Sequence, residues 1–236
     1  MEQHFDHSQS LTEITASPPR NLKQIKGELL FVDEAYLFHY QENGKDIYKY
    51  LSPDVLREAF NNEPFDSGWL PPEVLRHGSN RYGSWAILFI PAQRHCLNFG
   101  EESFCIPLPP LIFMGHHQFY WLWAMAKTQF HPNNQAFHAP LPNVNASPAG
   151  RICWGQNKPP VATLGTIQKA WELFIHSQFT SHYTNHKSKQ FPHNIMKKLK
   201  QVHLRTQQSS RCRYPVSDLM PIGTDETIEG LVQSVL

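Results

Sequence analysis

The chain is 236 residues long, with 40% hydrophobic residues, 17% charged residues and a net charge of +1. That is enough chain for a sizeable core, and too apolar a composition for a disordered segment. No apolar run approaches the roughly 18 residues of a membrane-spanning helix. The N-terminus, with Glu2, Asp6 and no apolar centre, does not read as a signal peptide, so a cytoplasmic protein is expected. Nineteen prolines against twelve glycines predict a loop-rich domain.

Residues 1–24, rich in polar side chains and carrying Pro18-Pro19, read as a mobile arm. Residues 27–32, 35–40 and 46–51 read as strands, and Asn43-Gly44 between the last two is a hairpin signal, since both positions tolerate positive φ. Ser52-Pro53 starts a helix over 54–60, with a capping hydroxyl and a proline at the first helical position. Residues 61–81 read as irregular. The continuous apolar run 84–90 predicts a strand buried on both faces, with 94–99 as its partner across a Pro91-Ala92-Gln93 turn. Residues 104–106 begin a strand that the prolines of Pro107-Leu108-Pro109-Pro110 halt, and a short apolar strand follows over 111–113. The aromatic run 119–126 reads as sheet core.

Residues 127–162 form a long excursion rich in proline and asparagine, the kind of loop that is usually functional. Thr163 or Thr166 caps a helix that packs through Ile167, Ala170, Trp171 and Phe174. A second helix packs through Ile195, Leu199 and Val202 with lysines outward, and a short last helix carries Ile228, Leu231, Val232 and Leu236. The fold class is α+β, an antiparallel meander followed by helices. The predicted division is an arm at 1–24, a domain at 25–185 and a basic helical extension at 186–236.

Charge is uneven along the chain. Between Glu172 and Asp218 there is no acidic residue, while Lys187, Lys189, Lys197, Lys198, Lys200, Arg205, Arg211 and Arg213 fall there. Such a block is either a solvated helix face or a docking surface for an acidic partner or nucleic acid. Few aromatics interleave it, only Phe191 and Tyr214, which disfavours stacking on single strands. His182 and His186 have the spacing of a helical ligand pair, but without a nearby carboxylate they read as polar surface and no metal is assigned. No cofactor is expected.

The four cysteines form no Cys-x-x-Cys pair and read as free thiols in a reducing compartment. Cys96 and Cys105, in apolar strand-like segments, read as small buried hydrophobes, and Cys212 between two arginines as a surface thiol. Cys153 differs. It lies between Gly150 and Gly155, which leave room for a bulky acyl group, and Arg151 is close enough in sequence to favour a thiolate. Asn143 supplies an amide of the kind whose loss from an oxyanion hole costs roughly 3–4 kcal/mol. No histidine is adjacent, and His138 is the nearest.

The order Pro-Leu-Pro-Pro, apolar strand, Pro142-Asn143, then Gly150-Arg151-Ile152-Cys153-Trp154-Gly155 resembles the catalytic half of ubiquitin-conjugating enzymes. More closely, residues 85–99, 107–113 and 140–155 resemble the prokaryotic ubiquitin-conjugating-enzyme-like family D, protein B of PRTRC systems. The resemblance spans most of residues 28–180. It implies a ubiquitin-conjugating fold with one inserted strand and a C-terminal helical extension. It further implies Cys153 as carrier of a thioester-linked ubiquitin-like protein and Asn143 as stabiliser of the oxyanion, with Gly150, Arg151, Trp154, Gly155, Pro109 and Pro110 in support. The implied partners are a ubiquitin-like protein, a ThiF-like activating enzyme and a JAB-type metallopeptidase. Leu141 stands where the eukaryotic motif has histidine, and the interval from Asn143 to Cys153 is longer. His131-Pro132-Asn133 repeats the eukaryotic triplet too far from Cys153 to serve it. A binding module of the same fold, without catalysis, is the second reading.

Overall fold

The structure, a computed structural model, describes residues 27–32, 35–56, 70–71, 73–209 and 211–236. The chain divides into two compact units, residues 1–67 and 68–236. In the first unit, β1 (Glu28–Val32), β2 (Ala35–Glu42) and β3 (Lys45–Leu51) form an antiparallel sheet in that order. Asn43 and Gly44 turn β2 into β3 with φ of 51° and 75°, as that dipeptide predicts. Ser52 Oγ accepts the Val55 amide at 3.3 Å, and residues 53–56 are helical. The expected continuation to residue 60 and the expected arm at 1–24 lie outside the described residues.

The second unit holds β4 (Val74–Asn80), β5 (Gly83–Ile90), β6 (Arg94–Phe99), β7 (Glu102–Pro107), β8 (Leu111–His116), β9 (Phe119–Ala124) and β10 (Phe137–His138). Helices α1 (Ile167–Ile175), α2 (Ile195–Gln208) and α3 (Ile228–Val235) follow. A five-stranded antiparallel sheet runs β10-β9-β8-β5-β4, and β6 with β7 forms a separate hairpin.

Both faces of the large sheet are covered, which is why β5 and β8 read as unbroken apolar runs. One face, with Ala86, Leu88, Leu111 and Phe113, packs against Ile167, Trp171 and Phe174 of α1 and Leu199 of α2. The other, with Ile87, Ile112 and Met114, packs against Ile228, Leu231 and Val232 of α3. Each such side chain contributes roughly 1.5–3 kcal/mol when fully buried. Asn194 caps α2 by accepting the Met196 amide, and Thr227 caps α3 by accepting that of Gly230. Thr166 stands at the N-cap position of α1, but its hydroxyl bonds Val161 and Thr163 instead.

Several expectations are corrected. Residues 74–80 are a strand, not irregular: β4 lies at the sheet edge, where pairing with β5 supplies the order that its own Arg-His-Gly-Ser-Asn does not. Its Gly78 lies under the Trp85 ring, where a Cβ would come within 2.6 Å. The predicted pairing of 94–99 with 84–90 does not occur, because β4 and β8 occupy both edges of β5. β6 turns Arg94, Cys96 and Asn98 outward and Leu97 inward, a pattern for a hairpin with one packed face.

Cys96 and Cys105 face each other in that hairpin and are joined as a disulfide, so they are neither free thiols nor a buried pair; Cys96 is exposed. The basic block is not uniformly outward either. Lys198 is buried on α2, 3.6 Å from Asp218 and 2.9 Å from Gln190 Oε1, and Lys187 is fully buried. Residues 182 and 186 are not on a helix, so His182 and His186 do not form a helical ligand pair.

Candidate functional site

Asn143 and Cys153 are backbone neighbours. The Cys153 amide donates to the Asn143 carbonyl at 2.8 Å, Val144 pairs with Ile152, and the Asn145 amide donates to Arg151 at 2.7 Å. The interval between them is therefore a hairpin, with the Gly150 amide closing on Asn145 at 2.8 Å. Its second arm runs along the outer edge of β9: Ile152 donates to the Tyr120 carbonyl, Leu122 donates to that of Gly150, and Arg151 pairs with Trp121. The loop locks through Trp123, whose indole donates to the Ala149 carbonyl at 3.1 Å. Gly150 has φ of 84°, and a Cβ there would fall 2.2 Å from that indole nitrogen, so only glycine fits.

Alternation along this arm sets each side chain. Ile152 enters the core, and Trp154 packs edge-on against Tyr120 and Phe174. Cys153 between them is free and half-buried. Gly155 then turns the chain at φ 59°, with nothing within 4 Å of where its Cβ would be. The Arg151 guanidinium lies 4.2 Å from the Phe119 ring centroid and 6.0 Å from that of Trp121, so its contacts are with rings rather than with the thiol. A cleft of about 390 Å³ is lined by Phe119, Arg151, Trp154 and Lys158 among others, and Cys153 is not one of its lining residues.

Asn143 is itself strongly held. It sits in the left-handed region at φ 60°, which asparagine tolerates, and follows Pro142 in the turn. Its amide donates to the His182 carbonyl at 2.9 Å. Its Oδ1 accepts from Thr180 Oγ1 at 2.7 Å and from the Thr180 amide at 3.3 Å. A backbone amide can only donate, so the atom facing Thr180 is the oxygen, and among the described residues Nδ2 makes no hydrogen bond. Beneath the turn, Lys187 Nζ donates to the carbonyls of Leu141 and Val144.

Leu141 is fully buried in the main core, which accounts for an apolar residue in that position of the motif. Thr180, His182 and Lys187 were missed from sequence. They lie some forty residues downstream, in a segment whose only local signals were charge and histidine spacing.

The other sequence candidates lie elsewhere. Pro109 and Pro110 are buried at the far end of β9, where the Pro110 carbonyl accepts the Met125 amide. His138 is on β10, opposite Trp123, with Nδ1 buried and unpartnered. Burial, then the charges of Lys187 and His186, push it down to about 4, so its ring is neutral. The His131-Pro132-Asn133 turn anchors α3, the Pro132 carbonyl accepting the Glu229 amide. Cys212 is free and partly exposed. Among the described residues, no histidine bonds Cys153, and no three His, Cys, Asp or Glu side chains are grouped to hold a metal ion.

An antiparallel meander flanked by helices makes this an α+β protein, with the free Cys153 across a hairpin from Asn143. The chain belongs to prokaryotic E2 family D, whose model matches residues 47–222. It is thus an E2-like protein of a prokaryotic ubiquitin-like system, and its antiparallel sheets and few helices are compatible with an E2-like fold. No curated protein and no solved structure matches the chain. Among the described residues no helix is long and apolar enough to cross a membrane.

Proposed function

We propose that the protein accepts an activated ubiquitin-like protein as a thioester on Cys153 and passes it on. The observation that carries this reading is the hydrogen bond from the Cys153 amide to the Asn143 carbonyl, which sets the asparagine directly across the hairpin from the thiol. In loading, the Cys153 thiolate attacks the thioester carbonyl on the activating enzyme. A new carbon–sulfur bond forms, and the activating enzyme's cysteine leaves as thiolate. In transfer, an amine attacks the same carbonyl, the amide forms, and Cys153 leaves as thiolate while the amine's proton passes to solvent.

Both steps pass through an oxyanion, for which Asn143 Nδ2 is the available donor. Because its Oδ1 is already fixed by Thr180, that donor does not have to be reoriented during reaction. The partners of this reading are a ubiquitin-like protein, a ThiF-like activating enzyme and a JAB-type metallopeptidase of a PRTRC system, meeting it in the cytoplasm. β9 with its following loop is then the inserted element, and residues 186–236 the helical extension.

The test is incubation with ATP, the cognate ThiF-like enzyme and the ubiquitin-like protein. A thiol-sensitive adduct on Cys153, converted by Cys153→Ser to a thiol-resistant oxyester, is the expected result. No adduct at any cysteine overturns it. The second reading, a non-catalytic module that docks the modifier or the activating enzyme, is favoured by Leu141 standing where the eukaryotic motif has histidine and by the longer interval from Asn143 to Cys153. It wins if Cys153→Ala preserves both partner binding and biological activity.

A further inference from the structure

We propose that Lys187 is a positioning residue of the Cys153 site, a buried amine that holds the Asn143 turn in the shape transfer requires. The inference rests on the thioester reading for its catalytic consequence, but its structural part stands alone. Lys187 is fully buried, and none of the ion pairs among the described residues includes it. A lysine in that position is costly, and a methionine would fill similar volume without the penalty. Its ammonium group bonds the Leu141 and Val144 carbonyls, the two ends of the turn that contains Pro142 and Asn143.

Two carbonyls converging on one point repel each other through their dipoles unless a donor lies between them. Lys187 supplies that donor. The geometry it permits puts Asn143 in the left-handed region and aims its carbonyl at the Cys153 amide. The segment just before Lys187 adds Thr180 and His182, which bond the asparagine's side chain and amide. His138 lies near enough for the Lys187 charge to act on it, and its ring is neutral; among the described residues no acid pairs with Lys187. Burial pushes the ammonium down to about 7, and the neutral amine still has two N–H donors for the two carbonyls. The clamp therefore survives loss of the proton.

The test compares wild type, Lys187→Met and Lys187→Gln in the full chain. Backbone amide exchange is read at Asn143 and Cys153, with β5 and α1 as internal controls. In Lys187→Met these two amides lose protection while the controls keep theirs, and in Lys187→Gln, which retains a donor, protection is partly restored. Single-turnover discharge of the preloaded thioester to a free amine then falls about 10-fold to 100-fold in maximal rate in Lys187→Met, the scale of a small misplacement. The half-saturating amine concentration and the extent of loading stay unchanged.

A merely structural lysine would lower thermal stability in Lys187→Met while the folded protein still discharged the thioester at the wild-type maximal rate. Wild-type exchange at both amides together with wild-type discharge in Lys187→Met overturns the proposal. If wild type forms no thioester, it is the reading of Cys153 that fails, and the exchange arm still decides what Lys187 does.

Discussion

Lys187 carries its charge into an interior that offers two carbonyls and no carboxylate. Its value of about 7, against an ordinary 10.5, reflects desolvation. Between those two values the unfolded chain holds the proton and the folded chain does not, so stability rises with pH across that window. The slope approaches about 1.4 kcal/mol per pH unit. Denaturant melts at pH 7 and pH 9 should show that gain in wild type and lose most of it in Lys187→Met; parallel behaviour of the two proteins would refute it. At this scale the sequence was only half legible. Pro142-Asn143 announces a turn through its own backbone preferences, whereas the room expected at Gly150 for an acyl group is taken up by the Trp123 indole. Thr180 and Lys187 announce nothing, since a buried lysine and an exposed one are written alike, and only the tertiary fold desolvates one of them.

Elements were legible where periodicity spoke. The faces of α1, α2 and α3 and the runs of β5, β8 and β9 follow from apolar spacing, because burial sorts side chains in those segments. β4 was not legible, since an edge strand takes its order from hydrogen bonds to a neighbour and can carry Arg-His-Gly-Ser-Asn. The β6–β7 hairpin was half legible: both strands were read, but their pairing, which brings Cys96 opposite Cys105, was not. That disulfide joins positions nine residues apart. Loop closure of that size contributes about 2–3 kcal/mol. Reduction, or Cys96→Ser with Cys105→Ser, should lower the urea midpoint correspondingly. An unchanged midpoint would mean that the bond adds nothing to the fold. α2 packs along β7, with His203 Nδ1 accepting the Cys105 amide at 3.2 Å, so the loss should reach that helix too.

Across the whole molecule, every fully buried hydrophobic side chain among the described residues belongs to residues 68–236. The sheet of β1 to β3 has none, and its Phe31 and Tyr50 are 76% and 80% exposed. A chain beginning at Gly68 should therefore unfold in one cooperative transition with a midpoint close to that of the full-length protein. A collapse of that transition would show that the first unit contributes to the core. Fold class was legible at this scale because alternating and continuous apolar runs differ in what must cover them.

The hairpin arm that presents Cys153 has a second consequence. β9 reads Phe-Tyr-Trp-Leu-Trp-Ala, a strand whose bare edge would template pairing with another copy of itself. β10 shields one end of that edge, and residues 150–152 shield the other. The thiol thus rides on the cover of a self-association edge. Any loosening that brings the cysteine closer to a partner also uncovers that strand, so solubility limits how mobile this loop can become.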